Sequence, residues 1–193
     1  MSTYATVAQL KARMNITDTT DDVILDMVLD GVSRQIENHC RRHFDQEVAT
    51  RYFTAMNASV CLVDDLSTLT TLDTDNDGDR TYSTSWTMMD YDLWPFNAAG
   101  WSEPYMMLGV AVNGDYVFPT FRKGVKIVGT WGWPAVPAPV IEACLIQGAR
   151  VFKRRDSPFG VAGAPEVGEI RIIPRLDPDV RQLLEPYVIA TVA

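Results

Sequence analysis

The sequence predicts an α+β chain in which two helical blocks flank a β-rich stretch. Three observations carry this. Residues 1–44 and 134–155 space their apolar side chains by threes and fours, as one face of a helix requires. Fifteen of the 19 aromatic residues, including all five tryptophans, lie between Phe44 and Trp133, and aromatics favour a pleated, half-buried surface. The composition is that of an ordinary globular chain: 193 residues, 47% hydrophobic and 22% charged, with 12 glycines and 11 prolines. That length suits one elaborated domain or two small ones.

The elements follow in order. Thr6-Val7-Ala8-Gln9 matches a capping box and opens a helix over 7–14, which Asn15 closes. The run 17–22 offers several N-cap residues, with acids where the helix dipole favours them. A long helix over about 20–43 carries Leu25, Val28, Leu29, Val32, Ile36 and Cys40 as one apolar stripe. Short strands are expected at about 48–55, 58–63, 67–73, 80–86, 105–112 and 124–131. Asn76-Asp77-Gly78 and Asn113-Gly114 mark turns, the second with a hairpin signature. Pro137 and Pro139 start a helix whose apolar face runs from Val140 to Phe152. Prolines and glycines make 156–168 a mobile loop. A strand at 169–173 and a last helix opened by Asp177-Pro178 complete the chain.

Charge and cysteine usage exclude several classes. The net charge is −8, and six of those charges fall in 46–133, so broad gripping of nucleic acid is not expected. No apolar run of about 18 residues marks a membrane span, and the first residues show no signal peptide. Cys40, Cys61 and Cys144 are scattered and form no CxxC, which fits a reduced, cytosolic chain.

Candidate sites are few. Asp73, Asp75 and Asp77, followed by Gly78, match the first half of an EF-hand loop, but the closing position holds Thr84 where a bidentate Glu belongs. The alternative is an acidic hairpin turn. His39, Cys40 and His43 lie within one helical turn but offer too few ligands for zinc. Gly160 and Gly163 lack the Lys-Ser/Thr of a phosphate loop, and no GxSxG elbow occurs. Neither a catalytic set nor a cofactor is expected. The loop from Trp94 to Trp101 suits stacking on a sugar or a base, core area for a small sheet, or contact with a partner. Arg150, Lys153, Arg154 and Arg155 suit a phosphate backbone, an acidic neighbour or the dipole of their own helix.

The order of four segments resembles the head–tail connector proteins of long-tailed bacteriophages, also called head-completion or adaptor proteins. These are Val7-Ala-Gln-Leu10-Lys with the long helix ending Ile36-Glu-Asn-His-Cys40-Arg-Arg-His-Phe44; Gly129-Thr-Trp-Gly132-Trp133 leading to Val136-Pro137; Arg154-Arg-Asp156-Ser-Pro158 with Gly168-Glu-Ile-Arg-Ile; and Leu176-Asp-Pro178 with Leu183-Leu184 and Pro186-Tyr187. The resemblance implies a small antiparallel α-helical bundle core, 1–45 with 129–193, and an inserted antiparallel β subdomain, 46–128. It implies a non-enzymatic virion protein at the head–tail interface, made in the host bacterial cytoplasm. Its copies would form a dodecameric ring under the portal protein, extend the channel for passing DNA, and receive a stopper or tail-completion protein. No membrane partner is implied. The partner surface would draw on Arg150, Lys153, Arg154, Arg155, Phe159, Leu183, Leu184 and Tyr187. The competing reading is a β-domain binding module for a glycan or calcium.

Overall fold

The computed structural model describes residues 3–156, 161–162, 170–171 and 176–189. Two compact units emerge, residues 1–42 with 136–193, and residues 43–135.

In the first unit, α1 (Val7–Met14) begins at the capping box: Gln9 N–H donates to Thr6 Oγ1 at 3.2 Å, and Thr6 N–H donates to Gln9 Oε1 at 2.8 Å. Asn15 ends it in the left-handed conformation, φ 57°. α2 (Asp22–Cys40) is shorter than the expected 20–43, because Arg41 turns left-handed and its N–H bonds back to the Glu37 carbonyl at 2.6 Å. Its buried stripe is Leu25, Leu29, Val32, Ile36 and Cys40. α3 (Ala138–Lys153) buries Val140, Ala143, Cys144, Gln147, Gly148 and Phe152. Leu10 of α1 and Leu29 of α2 both pack over Gly148, whose missing side chain lets them approach α3. α4 (Pro178–Leu184) opens at Asp177, which accepts from Asp179 N–H at 2.9 Å. No helix among the described residues is long and apolar enough to cross a membrane.

The second unit is one antiparallel sheet. Its strands are β1 (Glu47–Phe53), β2 (Val60–Thr74), β3 (Thr84–Trp86), β4 (Tyr91–Trp94), β5 (Tyr105–Val110) and β6 (Val125–Trp131), ordered β1-β6-β2-β5-β4 with β3 also on β2. A separate two-residue ladder, in the first unit, joins β7 (Val161–Ala162) to β8 (Ile170–Arg171). β6 alternates strictly between buried and half-buried positions. Val125, Ile127 and Trp131 face a core shared with Cys61, Leu66, Leu72, Leu108, Trp86 and Phe118.

The expected antiparallel helical bundle core is not what the chain builds. The dominant framework is the six-stranded sheet, with a buried cluster of its own. The physical reason lies in element length and in the distribution of aromatics. At 8 and 7 residues, α1 and α4 span only about 10–12 Å, too little to lie beside α2 along a shared seam. The aromatic-rich middle instead supplies a self-sufficient core.

Other strand expectations also shift. The strands expected at 58–63 and 67–73 are one strand, β2. Register breaks near Leu62, Leu66 and Leu69 let it pair with β5 through its first half and with β6 and β3 through its second. Asn113-Gly114 does lie in a tight turn, with Gly114 N–H on the Ala111 carbonyl at 2.9 Å, but it joins no hairpin. β6 is flanked by β1 and β2, so β5 pairs with β2 and β4 instead. Gly114 is needed for a different reason: a Cβ there would lie 2.7 Å from the Asp90 carbonyl oxygen.

Candidate functional site

The basic end of α3 is largely engaged inside its own unit. Arg150 forms an ion pair with Asp177, whose N–H donates to Gln147 Oε1 at 3.3 Å. Arg155 reaches Asp21 at 2.7 Å and lies 4.7 Å over the Phe152 ring. Asp21, one of the expected N-cap residues of α2, therefore serves as a tether and not as a side-chain cap. Arg154 is half-buried and engaged, while Lys153 is exposed. Leu184 is fully buried, and Leu183 and Tyr187 are half-buried. Phe159 and most of the loop at 156–168 lie outside the described residues. The sequence missed an exposed apolar strip near the start of α2, formed by Val23, Ile24 and Met27.

The acidic turn after β2 separates the three expected carboxylates. Asp73 turns to Lys126 at 3.1 Å and to the Ser85 hydroxyl at 2.6 Å. The cluster that does form is Asp75, Asp77 and Asp79, whose oxygens lie within 4.8 Å of one another. Asp75 is buried, and its oxygens accept backbone N–H bonds from Gly78 at 2.8 Å, Arg80 at 2.9 Å and Asp77 at 3.2 Å. Burial opposes its charge, but the N–H groups of Arg80, Gly78 and Asp77 hold its carboxyl below the ordinary range. What this carboxylate does is organise the turn.

The ring nitrogens and thiols near the end of α2 do not converge on one point. His39 is half-buried, and burial together with the Arg181 charge holds its imidazole below the ordinary range. Burial pushes the Cys40 thiol up to about 11 and the Cys61 thiol to about 12, and it raises Cys144 as well. Such thiols stay protonated and are poor nucleophiles and ligands near neutral pH.

Two exposed apolar features belong to the sheet unit. After β4, the chain turns through Pro95 into a 3-10 turn, Ala98–Trp101, anchored by buried Ala98. Glu103 N–H closes it on the Ala98 carbonyl at 3.0 Å. The turn carries Trp94 and Phe96, with ring centroids 3.8 Å apart, and Trp101, which is 76% exposed. A second feature is a groove of about 500 Å³ lined by Ala58, Tyr116, Val117, Phe118, Pro119 and Phe121, among others. Phe118 is fixed there by its N–H bond to the Ala58 carbonyl at 2.9 Å and by stacking on Trp86. The sequence pointed to the aromatic loop through its tryptophans. It gave no sign of the groove, which 115–121 lines together with Ala58 and Asn76.

No protein-family model matches the chain, and no curated protein sequence matches it. Solved structures do. A chain in the neck of a native GTA particle, computed with C12 symmetry, shares 18% identity, with 97% of this chain and 90% of that chain covered and a TM-score of 0.57. A chain in the neck of an empty GTA particle, computed with C6 symmetry, gives 17% identity, the same coverage and a TM-score of 0.55. A chain in the virion of a native gene transfer agent particle gives 19% identity, again with the same coverage, and a TM-score of 0.54. At these identities the likeness establishes a shared fold, and its coverage takes in both the helical and the sheet unit.

Proposed function

We propose that this chain is a structural, non-enzymatic component of the neck of a phage-like particle. The observation that carries the proposal is the shared fold with neck chains over 97% of this chain and 90% of theirs.

In the finer form of the proposal, copies of the chain make a ring under the portal. The ring extends the DNA channel and receives a stopper or tail-completion protein. The symmetry of the necks that hold the similar chains, C6 and C12, supports a ring of this kind. The net charge of −8 supports a conduit that does not retain DNA, because like charge repels phosphates.

The test is genetic and visual together. Deleting the gene from the particle that encodes it is expected to leave DNA-filled heads without tails, and the purified chain, concentrated alone or with portal, is expected to give ring-shaped particles by negative-stain microscopy. Tailed, infectious particles after the deletion would overturn the proposal.

A further inference from the structure

We infer that neighbouring copies in the ring meet head to tail through the sheet unit, the aromatic loop of one copy entering the groove of the next. The contact presupposes the ring proposed above and names the surfaces that make it.

A cyclic ring needs two different, mutually complementary patches on each subunit, because a self-complementary patch closes a dimer and stops. The sheet unit carries such a pair. The donor is the loop with Trp94, Phe96 and Trp101, the last two 55% and 76% exposed. The acceptor is the groove, where Tyr116, Val117 and Phe121 are exposed above buried Phe118. A volume of about 500 Å³ lies within the ~300–1,000 Å³ of ordinary binding pockets and accommodates an indole.

The ladder of β4 and β5 sets the two patches apart. Trp94 pairs with Met107 at one end, and the aromatic loop continues from there. Tyr91 pairs with Val110 at the other end. Just beyond it, the Asp90 carbonyl accepts from Ala111 N–H at 2.9 Å, and the Asp90 carboxylate accepts from Asp115 N–H at 3.2 Å. The groove residues begin there, with Tyr116. Donor and acceptor therefore leave opposite ends of one strand pair, roughly 10 Å apart along β4 at ~3.4 Å per residue. That placement suits serial contact and leaves both patches of one copy usable at once.

Charge matches the direction. Exposed Asp92 and Glu103 flank the aromatic loop, and exposed Arg122 and Lys123 follow Phe121 at the groove. None of these four side chains has an ion-pair partner among the described residues. The two cations beside the acceptor outnumber Asp115, the one acid that lines the groove, so they attract the two acids of a donor loop, while two donor loops repel each other.

The experiment uses disulfide trapping in the full-length chain. All three native cysteines are buried, so surface thiols can be introduced without interference. Gly100→Cys marks the donor loop, where an added side chain meets only open space, and Thr120→Cys marks the groove. Wild type is first scored for rings by mass photometry. Mixing the two single variants under ring-forming conditions and mild oxidation is expected to give a 100–120 linked dimer. Either variant alone is expected to give none, and the double variant a ladder ending in a closed ring. Trp101→Ala is expected to raise the half-assembly concentration about tenfold or more, as loss of a central aromatic anchor does. Rings that form without a 100–120 link, or links formed by one variant alone, overturn the head-to-tail contact while leaving the ring intact. Absence of rings from wild type, at high concentration and with portal, overturns the ring and this contact together.

Discussion

Trp86 and Phe118 stack with their ring centroids 4.5 Å apart and their planes 12° apart. The pair joins the short strand β3 to the loop that forms the groove, and the Trp86 indole N–H is anchored on Thr74 Oγ1 at 3.0 Å. Both rings are almost wholly buried, so one contact holds the sheet core and the groove floor together.

Phe118→Ala is therefore expected to cost about 3–5 kcal/mol of stability, the usual range for removing a buried aromatic ring. Phe118→Leu, which keeps part of the volume, is expected to cost clearly less. Urea unfolding followed by tryptophan fluorescence measures both. Equal, small losses would mean that the stack carries little of the core energy.

Asp90 gives an acid-dependent prediction. Its carboxylate accepts the Thr87 hydroxyl at 2.7 Å, the Thr87 N–H at 2.8 Å and the Asp115 N–H at 3.2 Å. The Thr87 hydroxyl first, then these N–H groups, hold it below its ordinary value. A folded-state pKa that is depressed gives stability that is complete above the ordinary carboxylate range and is lost as pH falls below about 4. Asp90→Asn should accordingly lower the urea midpoint at pH 7, and the gap to wild type should narrow as pH falls through the depressed pKa and Asp90 takes up its proton. A gap that keeps its size as pH is lowered through the acid range would contradict this assignment.

Asp177 has two jobs at the start of α4, capping Asp179 N–H and pairing with Arg150. Asp177→Ala removes both and is expected to cost about 1–2 kcal/mol. Asp177→Asn keeps a good cap and loses only the pair, so its cost should be under ~1 kcal/mol. Thermal melts at low and high salt distinguish the two, since only the pair is screened by salt. An Asn variant as unstable as the Ala variant would place the energy in the ion pair.

The thiols yield a labelling prediction. Cys40, Cys61 and Cys144 are buried, and burial raises each pKa. Ellman's reagent at neutral pH should leave the native protein unlabelled over minutes and titrate three thiols once it is unfolded. Rapid reaction of the native chain would show that one of these sites opens readily.

The sequence by itself determined the local features. The capping box at Thr6 and Gln9, the left-handed stop at Asn15, the stripe of α2 and the Asp177-Pro178 start of α4 are all present, because each is decided within one or two helical turns. The crowding of aromatics between Phe44 and Trp133 likewise announced a sheet, since that residue class needs pleated, half-buried surface. Only the tertiary structure decided which strands pair. Asn113-Gly114 signals a turn in any context, but β6 was already flanked by β1 and β2, so the hairpin that the turn suggests had no partner strand. The same holds for the sites. Asp73 lies outside the acidic cluster and pairs with Lys126, which β6 brings alongside. Arg150 and Arg155 lost their freedom to residues 27 and 134 positions away. The groove at Phe118 brings 115–121 against Asn76 and Ala58, residues far from it in sequence. Such placements depend on which long-range contacts lower the free energy of the whole chain, and no window of sequence contains that information.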